Sequence, residues 1–286
     1  MFVKRLLLYL LLFLGIAYLI FVSAWTNLDP AALTPWVESR ININLPRKYR
    51  ADISLVETSL SGLHLNQIRV RELPSNSPVV DVEKVSLSFG LLEFLLFQEI
   101  DYSMELYNGF IEGELDLFPK KSVDFSVSEL QINRNPVLRK TNLITSNPIV
   151  NGDGFYTFSE NPEAEIEFDI LNLSISGKPQ HTNIPFELPD TKLSEFEGDI
   201  VIKGKEADIL LSSKGDLAAT VEGIIKLNFA RPANSEFNLN LTGKLTSEFE
   251  SKLGFFKSIL VNYKNTTGQV AVNLSGSLQR PRVKKN

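Results

Sequence analysis

The sequence predicts a mostly β protein, with an N-terminal transmembrane helix followed by a curled antiparallel β-sheet and one or two short helices. Three observations support this fold class. Residues 6–24 form a continuous apolar run without charge. Beyond residue 50, apolar side chains recur at every second position, as in strands that bury one face. Short polar turns separate these runs, which is typical of an antiparallel meander.

The composition excludes several classes of function. With 286 residues and a 43% hydrophobic fraction, the chain can build a sizeable core, so global disorder is not expected. A net charge of −5 argues against nucleic acid as a partner, because binding to phosphates needs a basic surface. The absence of cysteine excludes disulfides, thiolate metal sites and cysteine nucleophiles.

The first segment is long enough to cross a bilayer, which takes roughly 20 helical residues. Lys4 and Arg5 precede the apolar run and indicate a cytoplasmic N-terminus. We therefore expect residues 1–25 to be a cytoplasmic tip and membrane anchor, and residues 26–286 to be a β domain outside the cytoplasm. A cleaved signal peptide is the alternative, since Val22-Ser23-Ala24 has the small residues of a cleavage site. The expected anchor positions are Leu6, Leu10, Phe13, Ile16, Leu19, Val22 and Trp25.

The spacing of apolar residues predicts the elements that follow. Asp29-Pro30 opens a short helix that ends before Pro46. The alternation of the next strands slips at Asn66-Gln67, as in a β-bulge. Residues 90–98 are continuously apolar and could form a short buried helix. Residues 247–260 carry Phe249, Leu253, Phe256 and Leu260 at helical spacing.

Turns and loops are predicted from their glycine, proline and asparagine content. Residues 133–152 and 177–193 are expected to be loops. The predicted turns are Tyr107-Asn108-Gly109, Asn151-Gly152-Asp153-Gly154, Lys203-Gly204-Lys205, Lys214-Gly215-Asp216 and Arg231-Pro232.

The later strands show the apolar alternation most clearly, and their apolar face must cover something. In a sandwich that face would pack against a second sheet, which is the commoner arrangement. In an open, curled sheet it would line a groove, because an exposed apolar patch of this size is a binding site or a liability. The residues expected in this core or groove are Ile225, Leu227, Phe237, Leu239, Leu241, Val270, Val272 and Leu274.

The search for catalytic or metal-binding residues finds none, and we expect no cofactor. His64 and His181 are the only histidines, and neither has a second ligand at metal-binding spacing. Glu163, Glu165, Glu167 and Asp169 share one face of a strand, which could bind calcium or a basic partner but is more typical of a solvated outer face. The segment GDIVIKGKE, from Gly198, lacks the spacing of a phosphate loop.

Three stretches together resemble a known family. They are the charged start with its single apolar span, the pair ETSLSGLHLNQIRVRELP (57–74) and VVDVEKVSLSFGLLEFLL (79–96), and the close TGQVAVNLSGSLQRPRV (267–283). This layout resembles type II secretion system protein N, and more broadly the AsmA-like proteins. The resemblance lies in the order of loose apolar patterns across most of the chain, and residues 133–193 do not share it.

The resemblance implies a single-pass protein of the bacterial inner membrane with a periplasmic β domain. It further implies an accessory role in assembling or docking the type II secretion machinery, with other envelope proteins of that system as partners. The wider AsmA-like group implies an alternative, in which an apolar sheet face binds or transfers lipid acyl chains. An enzyme would be a third possibility, motivated only by the carboxylates near Glu165.

Overall fold

We analysed a computed structural model of the chain. It describes residue 23 and residues 26–285, apart from residues 61, 89–97, 178–187, 230, 232–233, 255–256, 258–259 and 278–279. The predicted membrane anchor apart from residue 23, the predicted helix at 90–98 apart from residue 98, and His181 lie outside the described residues. Within the described part, no helix is long and apolar enough to span a membrane.

Fourteen antiparallel strands form one sheet whose spatial order is the order of the sequence, and the sheet does not close. This confirms the mostly β class and the antiparallel meander. No second sheet is present among the described residues, so the sandwich is not formed. The strands are β1 (Tyr49–Ser59), β2 (Gly62–Glu72), β3 (Ser77–Ser88), β4 (Glu99–Leu106), β5 (Gly109–Asp116), β6 (Ser122–Gln131), β7 (Ile149–Thr157), β8 (Glu163–Gly177), β9 (Leu188–Lys203), β10 (Glu206–Gly215), β11 (Leu217–Lys226), β12 (Glu236–Leu245), β13 (Val270–Ser277) and β14 (Arg280–Lys285).

Tight turns set the register between several of these strands. Tyr107 and Asn108 join β4 to β5 with φ of 52° and 62°, as a two-residue hairpin turn requires. Gly204 joins β9 to β10 with φ of 62°, and Gly215 precedes the turn at Asp216 with φ of 126°. The predicted bulge at Asn66-Gln67 is not formed: Gln67 has φ of 53° and no pairing partner, but the register of β2 is the same on both sides of it. The register shift of β2 lies at Val70/Arg71, in its pairing with β3.

Two predictions about irregular segments are wrong. Asn151-Gly152-Asp153-Gly154 is not a turn but the middle of β7, where the two glycines pair with Phe168 and Ile166 of β8. The predicted loop at 177–193 is shorter, because β8 runs to Gly177 and β9 begins at Leu188. Glycine and asparagine usually mark turns, but here neighbouring strands supply the ladder partners that keep the backbone extended.

Helix α1 (Pro30–Asn44) matches the predicted helix and packs on β1. Asp29 caps its first turn by accepting a hydrogen bond from the Ala31 backbone N–H. Val37 of α1 forms the main buried cluster with Ile53, Val56 and Leu65 of β1 and β2.

Two short helices complete the fold. Helix α2 (Pro136–Thr141) follows a 3₁₀ turn (Ile132–Arg134) in the connection predicted as a loop, and it contacts β3. Helix α3 (Ser247–Lys252) begins where the amphipathic helix was predicted. The predicted helix is interrupted after Lys252, because Gly254 adopts the left-handed conformation with φ of 51°, and residues 257, 260 and 261 beyond it are helical again. Phe249 and Leu253 are nevertheless buried, as their helical spacing suggested.

Candidate functional site: the apolar face of the sheet

One face of the sheet carries apolar side chains in rows that run across the strands, as the pairing register shows. A central row crosses all fourteen strands without a charged residue. Its members are Thr58, Leu63, Leu87, Tyr102, Gly113, Phe125, Gly154, Ile166, Ile200, Ile209, Gly223, Leu239, Leu274 and Val283.

Two flanking rows lie on either side of the central row, and we call the three rows together the apolar face. The first flanking row contains Ile100, Leu115, Val123, Tyr156, Ala164, Ile202, Ala207, Ile225, Phe237 and Gly276. The second contains Val56, Leu65, Val85, Met104, Ile111, Val127, Gly152, Phe168, Gly198, Leu211, Val221, Leu241 and Val272.

The apolar face is covered at its β1 end. There α1 lies over β1 and β2, and Val56 and Leu65 are buried beneath it. Buried side chains reappear near α3, where Phe249 and Leu253 are buried, as are Val270 and Val272 of β13.

Between these two regions the central row is open, although Ala164, Ala207 and Gly198 of the flanking rows are buried. Every residue of the central row from Leu63 to Leu274 is half-buried, and none is buried. In a two-layer core, large residues such as Phe125, Ile166 and Leu239 would be among the most buried of the chain. Their partial exposure means that neighbouring side chains within the sheet shield them while no second layer covers them.

Glycines opposite phenylalanines shape the floor of this face. A Cβ atom placed on Gly198 would lie 2.4 Å from Cζ of Phe168, and one on Gly154 would lie 3.0 Å from Cζ of Phe125. The tips of the two rings therefore lie over the glycine backbones of neighbouring strands, where a larger residue would leave no room for them. The spacing of Gly152, Gly154 and Gly198 could have predicted this only once their strands were known to pair.

The opposite face is polar and acidic. Asp101, Glu114 and Asp124 are direct neighbours across β4, β5 and β6, and Asp153, Glu167 and Asp199 are neighbours across β7, β8 and β9. A shallow depression of about 690 Å³ on this face is lined by seven carboxylates: Asp101, Glu112, Glu114, Asp124, Asp153, Glu165 and Glu167. The outer face thus presents a strong negative field.

Burial and the neighbouring acids act in the same direction on Glu114. Its pKa is raised above the usual range, first by partial burial and then by the charges of Glu99 and Asp116. The carboxylate oxygens of these three residues lie within 4.8 Å of one another, close enough for a cation to bridge them. Exposed acids of this kind are also common without a metal.

The structure places the residues predicted from the sequence as follows. Pairing brings seven of the eight core or groove residues, all but Leu227, onto one face of β11, β12 and β13. Val270 and Val272 are buried, while Ile225, Phe237, Leu239, Leu241 and Leu274 are half-buried. The Glu163–Asp169 acids share the outer face. His64 contacts the Ser86 hydroxyl, with 3.0 Å between Nδ1 and Oγ.

Comparisons with known proteins leave the function open. No family model, no curated protein and no solved structure matches the chain.

Proposed function

We propose that this chain is a membrane-tethered envelope protein whose apolar face binds lipid acyl chains. One observation supports this most strongly: ten successive strands, β4 to β13, present an uncharged central row that stays half-exposed. A bound acyl chain would remove this apolar surface from water, and the burial of that surface would favour binding.

The size of the face fits such a ligand. Ten strands at about 4.8 Å spacing extend about 43 Å, and the two flanking rows lie about 13 Å apart along the strands. The resulting area of about 570 Å² is at the upper end of the apolar patches found on soluble monomers. One bilayer leaflet contributes about 15 Å of hydrocarbon, so the face is long enough for an extended acyl chain. Each buried methylene would contribute about 0.8 kcal/mol.

Adjacent residues of β10 offer a matched test, because Ile209 lies in the central row and Leu210 lies on the outer face. The full chain in mild detergent is mixed with a phospholipid whose acyl chain carries a nitrobenzoxadiazole fluorophore. Ile209→Asp should weaken binding at least tenfold, or about 1.4 kcal/mol, because the acyl chain would strip water from a carboxylate. Leu210→Asp should change it less than twofold.

The proposal fails if the wild-type chain adds nothing to the fluorescence of lipid in detergent alone. It also fails if Ile209→Asp and Leu210→Asp bind alike. Circular dichroism of both variants would show that each retains its β structure.

As a second function, we propose that the chain is an accessory component of the bacterial type II secretion system, anchored in the inner membrane with its β domain in the periplasm. The family resemblance motivates this role, and the acidic outer face favours it, because such a surface suits docking to a basic envelope protein. The two roles are compatible, since they use opposite faces of one sheet.

Charge reversal on the outer face would test the second role. Asp124→Lys combined with Glu167→Lys should lower the amount of exported protein in the medium without changing acyl-chain binding. Glu236→Lys, on the outer face of β12 and outside the acidic depression, is the control. Unchanged export in the double variant, and in a deletion strain under every condition tried, would refute the secretion role.

A further inference from the structure

Helix α1 is apolar on two faces, about 110° apart around the helix axis, where a helix on the surface of a sheet usually has one. Its inner face, with Leu33, Val37 and Ile41, packs on the buried cluster of β1 and β2. Its outer face carries Trp36 and Ile43, which are 59% and 71% exposed. These two side chains have the helical positions i and i+7, so they lie on the same side of α1.

Hydrogen bonds to the edge of β1 fix which face of α1 points outward. Asn42 donates from Nδ2 to the Ala51 carbonyl and accepts from the Ala51 N–H, both at 2.8 Å. The Val56 N–H donates to Oγ1 of Thr34 at 2.9 Å, and the Ile53 N–H donates to Glu38 at 3.2 Å. These bonds occupy the unpaired edge of β1 and prevent α1 from rolling to bury Trp36.

Basic side chains accompany the exposed apolar ones. The Arg40 guanidinium lies 5.7 Å from the centre of the Trp36 ring, and Arg47 and Lys48 follow the end of the helix, both exposed. The acid of this helix, Glu38, faces β1 and pairs with Arg50 at 3.9 Å. Trp, Ile, Arg and Lys on one surface are the composition of helices that lie in a membrane interface.

We propose that the outer face of α1, formed by Trp36, Arg40 and Ile43 together with Arg47 and Lys48, lies on the surface of a bilayer that contains anionic phospholipids. The position of α1 supports a bilayer as the occupant. Only residues 25–29 separate the uncharged run at 6–24 from Pro30, a span of at most about 20 Å. Charge supports it as well, since the basic side chains complement lipid phosphates. The inference is independent of acyl-chain binding, which uses the open central row of β4 to β13, whereas α1 lies at the β1 edge of the sheet.

The test uses Trp36 as a reporter in the full chain. Trp25→Phe leaves Trp36 as the only tryptophan, and the protein is reconstituted into vesicles of phosphatidylcholine with 30% phosphatidylglycerol, whose acyl chains are brominated near the carbonyl. We expect brominated lipid to lower the fluorescence of Trp36 at least twofold. Acrylamide should quench Trp36 at most half as strongly as it quenches a control tryptophan. The control is a single tryptophan at position 210 (Trp25→Phe, Trp36→Phe, Leu210→Trp), on the outer face nine strands from β1.

Other results would overturn the proposal. Acrylamide quenching equal at positions 36 and 210 would mean that α1 faces water. Protection of Trp36 from both quenchers would mean that protein covers it, whether residues 1–22 or a second copy. The charge requirement is tested by replacing Arg40, Arg47 and Lys48 with Gln, which should reduce lipid quenching in the anionic vesicles by at least half. The charge requirement would be refuted if vesicles of pure phosphatidylcholine quenched Trp36 as strongly as the anionic vesicles, both before and after these replacements.

Discussion

Adding one methyl group at Gly198 tests whether the apolar face is open. The new Cβ of Gly198→Ala would lie 2.4 and 2.5 Å from two ring atoms of Phe168, and 2.8 Å from Cδ2 of Leu211. All three atoms are the ends of side chains. The Phe168 ring must therefore lift by about 1 Å to restore ordinary contact distances of about 3.5 Å.

The expected cost is small because the Phe168 side chain is only half-buried and its ring can move. Lifting forfeits part of the 1.5–3 kcal/mol that a fully buried Phe side chain contributes, or about 1 kcal/mol. Alanine also lowers the conformational entropy of the unfolded chain relative to glycine, which offsets about 0.4–1 kcal/mol of this cost. We therefore expect Gly198→Ala to lower the free energy of unfolding by less than about 1 kcal/mol.

Gly113→Ala is the matched control, because its Cβ would meet backbone instead of side chains. It would lie 1.9 Å from the Asp124 carbonyl oxygen and 2.9 Å from the Phe125 Cα, so β5 and β6 must separate. Several ladder hydrogen bonds would weaken, at about 0.5–1.5 kcal/mol each, for a total of about 3 kcal/mol. Urea unfolding of the full chain in detergent, followed by circular dichroism, compares the two. A cost for Gly198→Ala equal to that of Gly113→Ala would refute the open face, since it would mean that the ring has no space above it.

Three further predictions concern other parts of the sheet. Asn42→Ala removes two hydrogen bonds to the β1 edge and should cost about 1–3 kcal/mol, with faster amide hydrogen exchange in β1, whereas Asn44→Ala should leave that exchange unchanged. Glu114→Gln should stabilise the fold at neutral pH, because the raised pKa means that the charged carboxylate is disfavoured in the folded state. By the same linkage, protonation of Glu114 should raise the free energy of unfolding of the wild type as the pH falls from above the raised pKa towards the ordinary glutamate pKa. Urea midpoints measured across that pH window should not show this rise in the Glu114→Gln variant. Tyr107→Phe should cost about 1–2 kcal/mol by urea unfolding, since the hydroxyl oxygen accepts hydrogen bonds from Nδ2 of Asn135 and from the Asp81 N–H.

The strands were predictable because side-chain alternation has a period of two, and a buried or half-buried face enforces that period. An irregularity at Gln67 was also predictable from the phase slip of the apolar residues, but it was wrongly interpreted as a bulge, since the register of β2 with β1 is unchanged across it. The strand at Asn151–Gly154 was not predictable, because Gly154 lies beneath the Phe125 ring and Gly152 against Phe168 Cα and Cβ of the paired strand, while the local signal of both glycines is that of a turn. Such contacts appear in the sequence only once pairing is known.

The candidate site was predictable in part. The alternation of Leu239, Leu241 and Leu274 identified the apolar face. It could not decide whether that face packs on a second sheet or stays open, because both arrangements place apolar residues at the same alternate positions. The outer surface of α1 was missed for a different reason. Trp36 and Ile43 have ordinary helical spacing to inner residues, and only the hydrogen bonds of Asn42 and Thr34 to β1 show which side faces outward.

Residue-specific photo-crosslinking in cells would test the central claim most directly. A benzophenone amino acid is placed at Leu241, on the apolar face of β12, or at its neighbour Thr242, on the outer face. The adducts are then identified by mass. We predict a phospholipid adduct at position 241 and none at position 242. Crosslinks from 241 only to the chain itself or to another protein would contradict acyl-chain binding on this face.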